Sequence, residues 1–218
     1  MKGLLIKDFK LLTKNKSTLF IVLAIILFFP MLEMNPGFIV SYTMIILLFM
    51  TVSTVSYDDF DNGMAFLFTL PVDRKTYVRE KYVLGLVVAV VSWIFAAIVN
   101  VSYMVLMENE SAATIENVLL SALLIFPVML LIWEVLLPMQ LKFGAEKARV
   151  VLFIVAGVVA AVGVIGKRSM NLQQVKKMTS MLASLTPSMV VITLFAFAII
   201  GLLISYCASV KIVEKKEY

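Results

Sequence analysis

The sequence predicts an all-α integral membrane protein: six transmembrane helices, an N-terminal amphipathic helix in the membrane surface, and a further short amphipathic helix in the cytoplasmic connection between spans two and three. Composition is the first observation behind this. Of 218 residues, 62% are hydrophobic and 15% charged, where soluble domains have roughly 45–50% apolar and about 25% charged residues. Mean hydropathy is +1.02, and apolar runs approaching or exceeding the ~20 residues that a span requires recur along the chain. Six spans use about 120 positions, which leaves no room for a separate catalytic domain, so residues 1–218 read as one domain. The sequence has no histidine and one cysteine, Cys207, which excludes intrachain disulfides, Cys/His zinc sites and histidine acid–base chemistry. No metal or cofactor is expected on this chain. The net charge of +5 belongs to the loops of a membrane protein and does not imply nucleic acid.

Residues 1–16 wind into a helix with Lys7, Lys10 and Lys14 on one face and Met1, Leu4, Leu5, Phe9, Leu11 and Leu12 on the other. Its lysines suit anionic head groups and place the N-terminus in the cytoplasm. Asp8 falls inside the apolar arc, either as a locally paired carboxylate or as a contact with a partner protein. Residues 17–32 read as an uncleaved first span, because Phe29 to Glu33 offers no small-residue cleavage site. Spans two to six are predicted at about 37–57, 82–107, 115–137, 150–165 and 189–210, with both termini inside. This places Lys167, Arg168, Lys176 and Lys177 outside and the rest of the 19 Lys and Arg residues inside. A re-entrant 150–165 segment satisfies the charge rule equally well, so the topology of 150–188 stays open. Tyr57, Tyr82 and Trp133 fall at inner span ends and Tyr103 near an outer one, the positions of interfacial aromatics. No internal repeat is present, which disfavours a carrier built from inverted repeats.

The connection 58–81 concentrates the scarce polar residues. It opens with Asp58, Asp59 and Asp61, continues with exposed-looking Met64, Phe66, Leu67, Phe68 and Leu70, and breaks at Pro71. Asp73 then caps a new helix that carries Arg74, Lys75, Arg79 and Lys81 on its first turns. An amphipathic helix between acidic and basic clusters suits a groove on a soluble partner, or else rests on lipid. A calcium loop is excluded, since position twelve from Asp59 is Leu70 instead of Glu.

The opening MKGLLIKDFKLL, the turn YDDFDNG and the segment LPVDRKTYVREKYVLG resemble the type-2 exporter permeases of the ATP-binding-cassette transporters, in particular the short bacterial half-permeases of peptide and drug exporters. Asp73 stands where that family commonly has serine. The resemblance implies a subunit of the plasma membrane that pairs with a second permease, identical or not, and sits on two cytoplasmic ATPase subunits that bind ATP and magnesium. It implies that the N-terminal helix and the 58–81 coupling loop touch the ATPase, with Asp8, Asp58, Asp59, Asp61, Met64, Phe66, Leu67, Leu70 and Arg74 in that contact. The chain has no Gly-x-x-x-x-Gly-Lys-Ser/Thr phosphate loop; around Gly163, Gly166 and Lys167 the spacing is wrong.

Within the spans, Thr43, Leu47, Met50, Thr51 and Thr54 share a mildly polar face leading to Asp58. They either line a substrate pathway or bond back to their own helix and pack. Ala156, Gly157, Ala160 and Ala161 permit close helix approach, and the resemblance implies that spans one and five of two permeases meet. Glu134, the one carboxylate well inside an apolar run, is a structural or paired group, a cavity-mouth residue or a proton relay. Between spans five and six, Val175, Met178, Leu182 and Leu185 form an apolar stripe with Lys176 and Lys177 off it, an outer amphipathic or re-entrant helix. The expected function is export of an amphipathic or hydrophobic peptide, antibiotic or lipid-like cargo. The rival readings are a non-transporting immunity or sensor subunit, and an ion-coupled carrier.

Overall fold

Helix breakers divide the apolar sequence into its elements. The computed structural model describes residues 1–14, 16–32, 34–60, 63–106, 112–169 and 186–216, with the backbone alone for residues 18, 112–114, 145–146, 148–149 and 151–169. Every described element is helical: α1 (Lys2–Lys14), α2 (Lys16–Phe28), a 3-10 turn (Phe29–Leu32), α3 (Pro36–Asp59), α4 (Gly63–Thr69), α5 (Arg74–Leu106), α6 (Ala112–Ser169) and α7 (Pro187–Lys215). Asn35 starts α3 by accepting a 2.8 Å hydrogen bond from Gly37 N, with Pro36 in the first turn, where its missing N–H loses nothing. Pro71 and Val72 separate α4 from α5, and the Asp73 carbonyl accepts from Tyr77 N at 3.0 Å to open α5. Inside α6, Gly144 has φ 76° and ψ 174°, a backbone state that favours glycine, and it breaks α6 into two helical segments.

Four segments are long and apolar enough to cross a membrane: Pro36–Asp59, Arg74–Leu106, Ile115–Gly144 and Pro187–Lys215. The 13 residues of α2 reach only about 20 Å against a ~30 Å hydrocarbon core. Lys2–Lys14 and Leu19–Leu32 pass as a fifth only if taken together as one span bent by 68°. The six expected spans are therefore met in part, by four or five. The expected fifth span, 150–165, lies in the continuation of α6 beyond Gly144, where only backbone is described, and this includes Ala156, Gly157, Ala160 and Ala161. Asp61 and the Lys176, Lys177 and Met178 stretch lie outside the described residues.

Trp133 sits where α3, α5 and α6 meet. It is fully buried, its ring stands edge-on to Tyr82 at 5.4 Å and 73°, and its Nε1 donates to Thr51 Oγ1 at 3.1 Å. This corrects the interfacial placement of Trp133 and Tyr82: both are core residues, and their polar atoms are satisfied by neighbouring helices. The Tyr82 hydroxyl bonds to Ser205 at 2.5 Å and Ser209 at 2.9 Å on α7, and Ser205 in turn donates to the Glu134 carbonyl. Trp133 fits because residue 85 is glycine; a Cβ there would overlap the indole ring. By contrast α7 leaves Ile192, Phe197, Ile199, Ile200 and Leu203 exposed, an apolar circumference suited to hydrocarbon.

Gly85→Ala is expected to destabilise the fold by about 1–3 kcal/mol through overpacking. A lower thermal midpoint in detergent and altered tryptophan emission would report it. Gly3→Ala, at a position with nothing within 4 Å, should not lower the midpoint.

Candidate functional site

The spacing of polar residues brings three elements to one ionic cluster. Leu4 and Asp8, one turn apart, form the buried side of α1. Thr54 and Asp58 stand one turn apart at the end of α3, as do Tyr77 and Lys81 near the start of α5. Lys81 is 1% exposed and Asp8 0%. The Lys81 ammonium pairs with Asp8, lies 2.7 Å from Asp58 Oδ2 and donates to Thr54 Oγ1 at 2.9 Å. Lys7 closes the cluster by pairing with Asp58 and lying 3.1 Å from Asp8 Oδ1. Tyr77 donates to Asp58 Oδ2 at 3.1 Å, and its ring centroid is 5.1 Å from Lys81 Nζ. Buried Glu80 stands at the edge, its Oε2 4.0 Å from Lys81.

Partial burial lowers the Lys7 pKa, but the Asp58 and Asp8 carboxylates outweigh this and raise it above its ordinary value, so Lys7 remains charged at neutral pH. Two ammonium groups thus face Asp8, Asp58 and Glu80 in a largely dry setting. A buried pair gains little net energy over apolar packing, because desolvation offsets the attraction. Removing one partner leaves a buried charge uncompensated, which costs roughly 3–5 kcal/mol. The cluster therefore acts as a positional lock on α1, α3 and α5.

Helix α4 is tied to this lock. Met64 is 2% exposed and packs into the core with Leu67. Phe66, at 69% exposure, and Leu70 face outward, together with Tyr57 and Phe60 at the end of α3. A Cβ on Gly63 would lie 2.8 Å from the Asp58 carbonyl, so α4 starts directly against the cluster's backbone. Phe68 meets Tyr77 edge-on at 5.8 Å and 73°, and the Arg74 guanidinium lies over Phe68 at 5.6 Å. Arg74 also donates to the carbonyls of Val213 (3.0 Å), Glu214 (2.6 Å) and Lys216 (3.0 Å), a cation at the C-terminus of α7. Lys216 lies 3.8 Å from Asp59.

The expected site residues divide accordingly. Asp8, Asp58, Met64, Leu67 and Arg74 hold the chain's own elements together; Met64 and Leu67 are buried, contrary to their exposed appearance in the sequence. Phe66, Leu70 and partly exposed Asp59 remain available outside. Thr43, Thr51 and Thr54 are buried and donate to their own helix at Ile39, Leu48 and Thr51, while Met50 is half-buried. Their helical periodicity identified a shared face, and that face is a helix contact. Glu134 is 2% exposed, and neither carboxylate oxygen has a hydrogen-bond partner among the described residues.

Lys7, Tyr77, Glu80 and Lys81 escaped the sequence reading as a site. The available signal was the lone charge of Asp8 in an apolar arc, which required a buried cation from elsewhere. Among the described residues no group of three or more His, Cys, Asp or Glu could hold a metal.

Lys81→Met should lower the thermal midpoint sharply, by the equivalent of about 3–5 kcal/mol. Adding Asp8→Leu should restore part of the loss, a non-additivity of 0.5–3 kcal/mol typical of contacting residues, roughly. Additive effects in this double-mutant cycle would show that the pair is not coupled.

The family model described as ABC-2 family transporter protein matches residues 3–214. No curated protein and no solved structure matches the chain significantly. With its long apolar helices and a match over nearly its whole length, the chain is a multi-pass membrane protein and belongs to the ABC-2 transporter family.

Proposed function

We propose that this chain is the permease subunit of an ATP-driven exporter in the plasma membrane. It works as a homo- or heterodimer on separate cytoplasmic ATPase subunits that bind ATP and magnesium. What supports hydrolysis by a partner is membership of the ABC-2 transporter family, together with a sequence that carries no phosphate-binding loop.

The observation that carries the reading is the double-sided construction of α4. One side is buried through Met64 and Leu67, while Phe66 and Leu70 are left for a partner's apolar groove. A push on α4 reaches α5 through Phe68 and Tyr77, α3 through Gly63 and Asp58, and α1 through the lysine–aspartate cluster. Packed elements move as units because interiors are dense, so ATPase closure tilts the spans and alternates access to an amphipathic or hydrophobic cargo. In this arrangement both termini are cytoplasmic, on the side of α4.

Co-expression with its ATPase tests this. Phe66→Asp combined with Leu70→Asp should reduce the co-purified ATPase at least about tenfold, since a central apolar anchor is worth 2 kcal/mol or more. The thermal midpoint of the permease should change little, because both side chains are exposed. Undiminished co-purification would remove α4 from the interface.

A further inference from the structure

We propose that the groove between α6 and α7 is a binding site for an amphipathic organic cation, whose charged centre pairs with Glu134. The groove, open along one side, offers about 480 Å³, within the ~300–1,000 Å³ range of small-molecule sites. Leu131, Val135, Ile204 and Ala208 supply apolar wall, and Glu134 and Gly201 lie among them. Glu134 lines the groove, and its carboxylate sits in the space that Gly201 leaves beside it: a Cβ there would stand 2.5 Å from Oε2 and 3.2 Å from Leu131 Cδ2.

As an anion, a carboxylate that is 2% exposed and lacks a hydrogen-bond partner among the described residues is unfavourable, and it is relieved by a proton or by a cation in the groove. Its backbone carbonyl already accepts from Ser205, so the side chain is not needed to join α6 to α7. The chemistry selects the occupant. A single carboxylate without further oxygen donors does not make a cage for a hard metal ion, which takes six or more oxygen ligands, waters included. An anion is repelled. An ammonium or phosphonium centre on an apolar body meets one negative charge and fills the apolar remainder. Lys142 lines the groove eight residues further along α6, about 12 Å by helical rise. Its Nζ stands 5.0 Å over the Phe143 ring, which leaves Glu134 without that cation.

The inference concerns binding and does not depend on the transport reading. Equilibrium dialysis of tetraphenylphosphonium against the full chain in a non-ionic detergent tests it, with tetraphenylborate as the anion of the same shape. Saturable binding of the cation alone is expected, with at least a tenfold loss of affinity in Glu134→Gln. Ile204→Trp, at a position 64% exposed and away from the carboxylate, should fill the groove and abolish binding while the fold persists. It decides the matter should Glu134→Gln fail to accumulate. Competition by added phosphatidylethanolamine would identify a lipid amine as the occupant, and competition by a soluble alkylamine alone would identify a free amphipath; both support the site. Equal binding by wild type and Glu134→Gln, equal binding of the borate, or retained binding in Ile204→Trp would overturn it.

Discussion

Lys81 cannot be buried without its carboxylates, and most of the arrangement at this end of the molecule follows from that. An ammonium that is 1% exposed must find anions within its own chain. It finds Asp8 on α1 and Asp58 on α3, elements far apart in sequence. A helix that would otherwise be held only by its apolar face is thereby fixed in rotation and depth. Lys7 and Tyr77 complete Asp58, so the last turn of α3 is set as well. The start of α4 against Asp58 and the edge-on contact of Phe68 with Tyr77 then depend on the same few atoms.

A second layer, built from neutral groups, holds the bundle further along. Trp133 occupies the space left by Gly85 and reaches Thr51, and Tyr82 joins the hydroxyls of Ser205 and Ser209. Hydroxyl and indole donors make these contacts without bringing charge among the spans. Shape and hydrogen bonding, which work as well in hydrocarbon as in water, position helices there better than the hydrophobic effect can. Glu134 stands apart as a carboxylate beside this layer with no such partner among the described residues.

Much of the fold was legible because it rests on local rules. Apolar run length marked four of the spans, and Pro71 and Asp73 marked the approach to α5. What escaped depended on which helix faces which. Periodicity placed Thr43, Thr51 and Thr54 on one face but could not say that the face meets other helices. Met64 and Leu67 looked like Phe66 and Leu70 in sequence, and only angular position on α4, for Leu70 its place just past the end of α4, separates anchor from exposed surface. Trp133 near a span end suggested an interface, yet the missing side chain at Gly85 draws it into the core. Asp8 was visible as an anomaly; its partner Lys81, 73 residues away, was not.

In the proposed cycle the lysine–aspartate cluster transmits motion from α4 to the spans. A distance between spin labels at Thr69 on α4 and Leu106 at the far end of α5, both exposed, in a Cys207→Ser background reads this directly. It would be measured in the ATPase complex with and without ATP. An ATP-dependent shift is expected with the native cluster and none in an Asp8→Leu/Lys81→Met double variant that still binds its ATPase. An equal shift in both would contradict it.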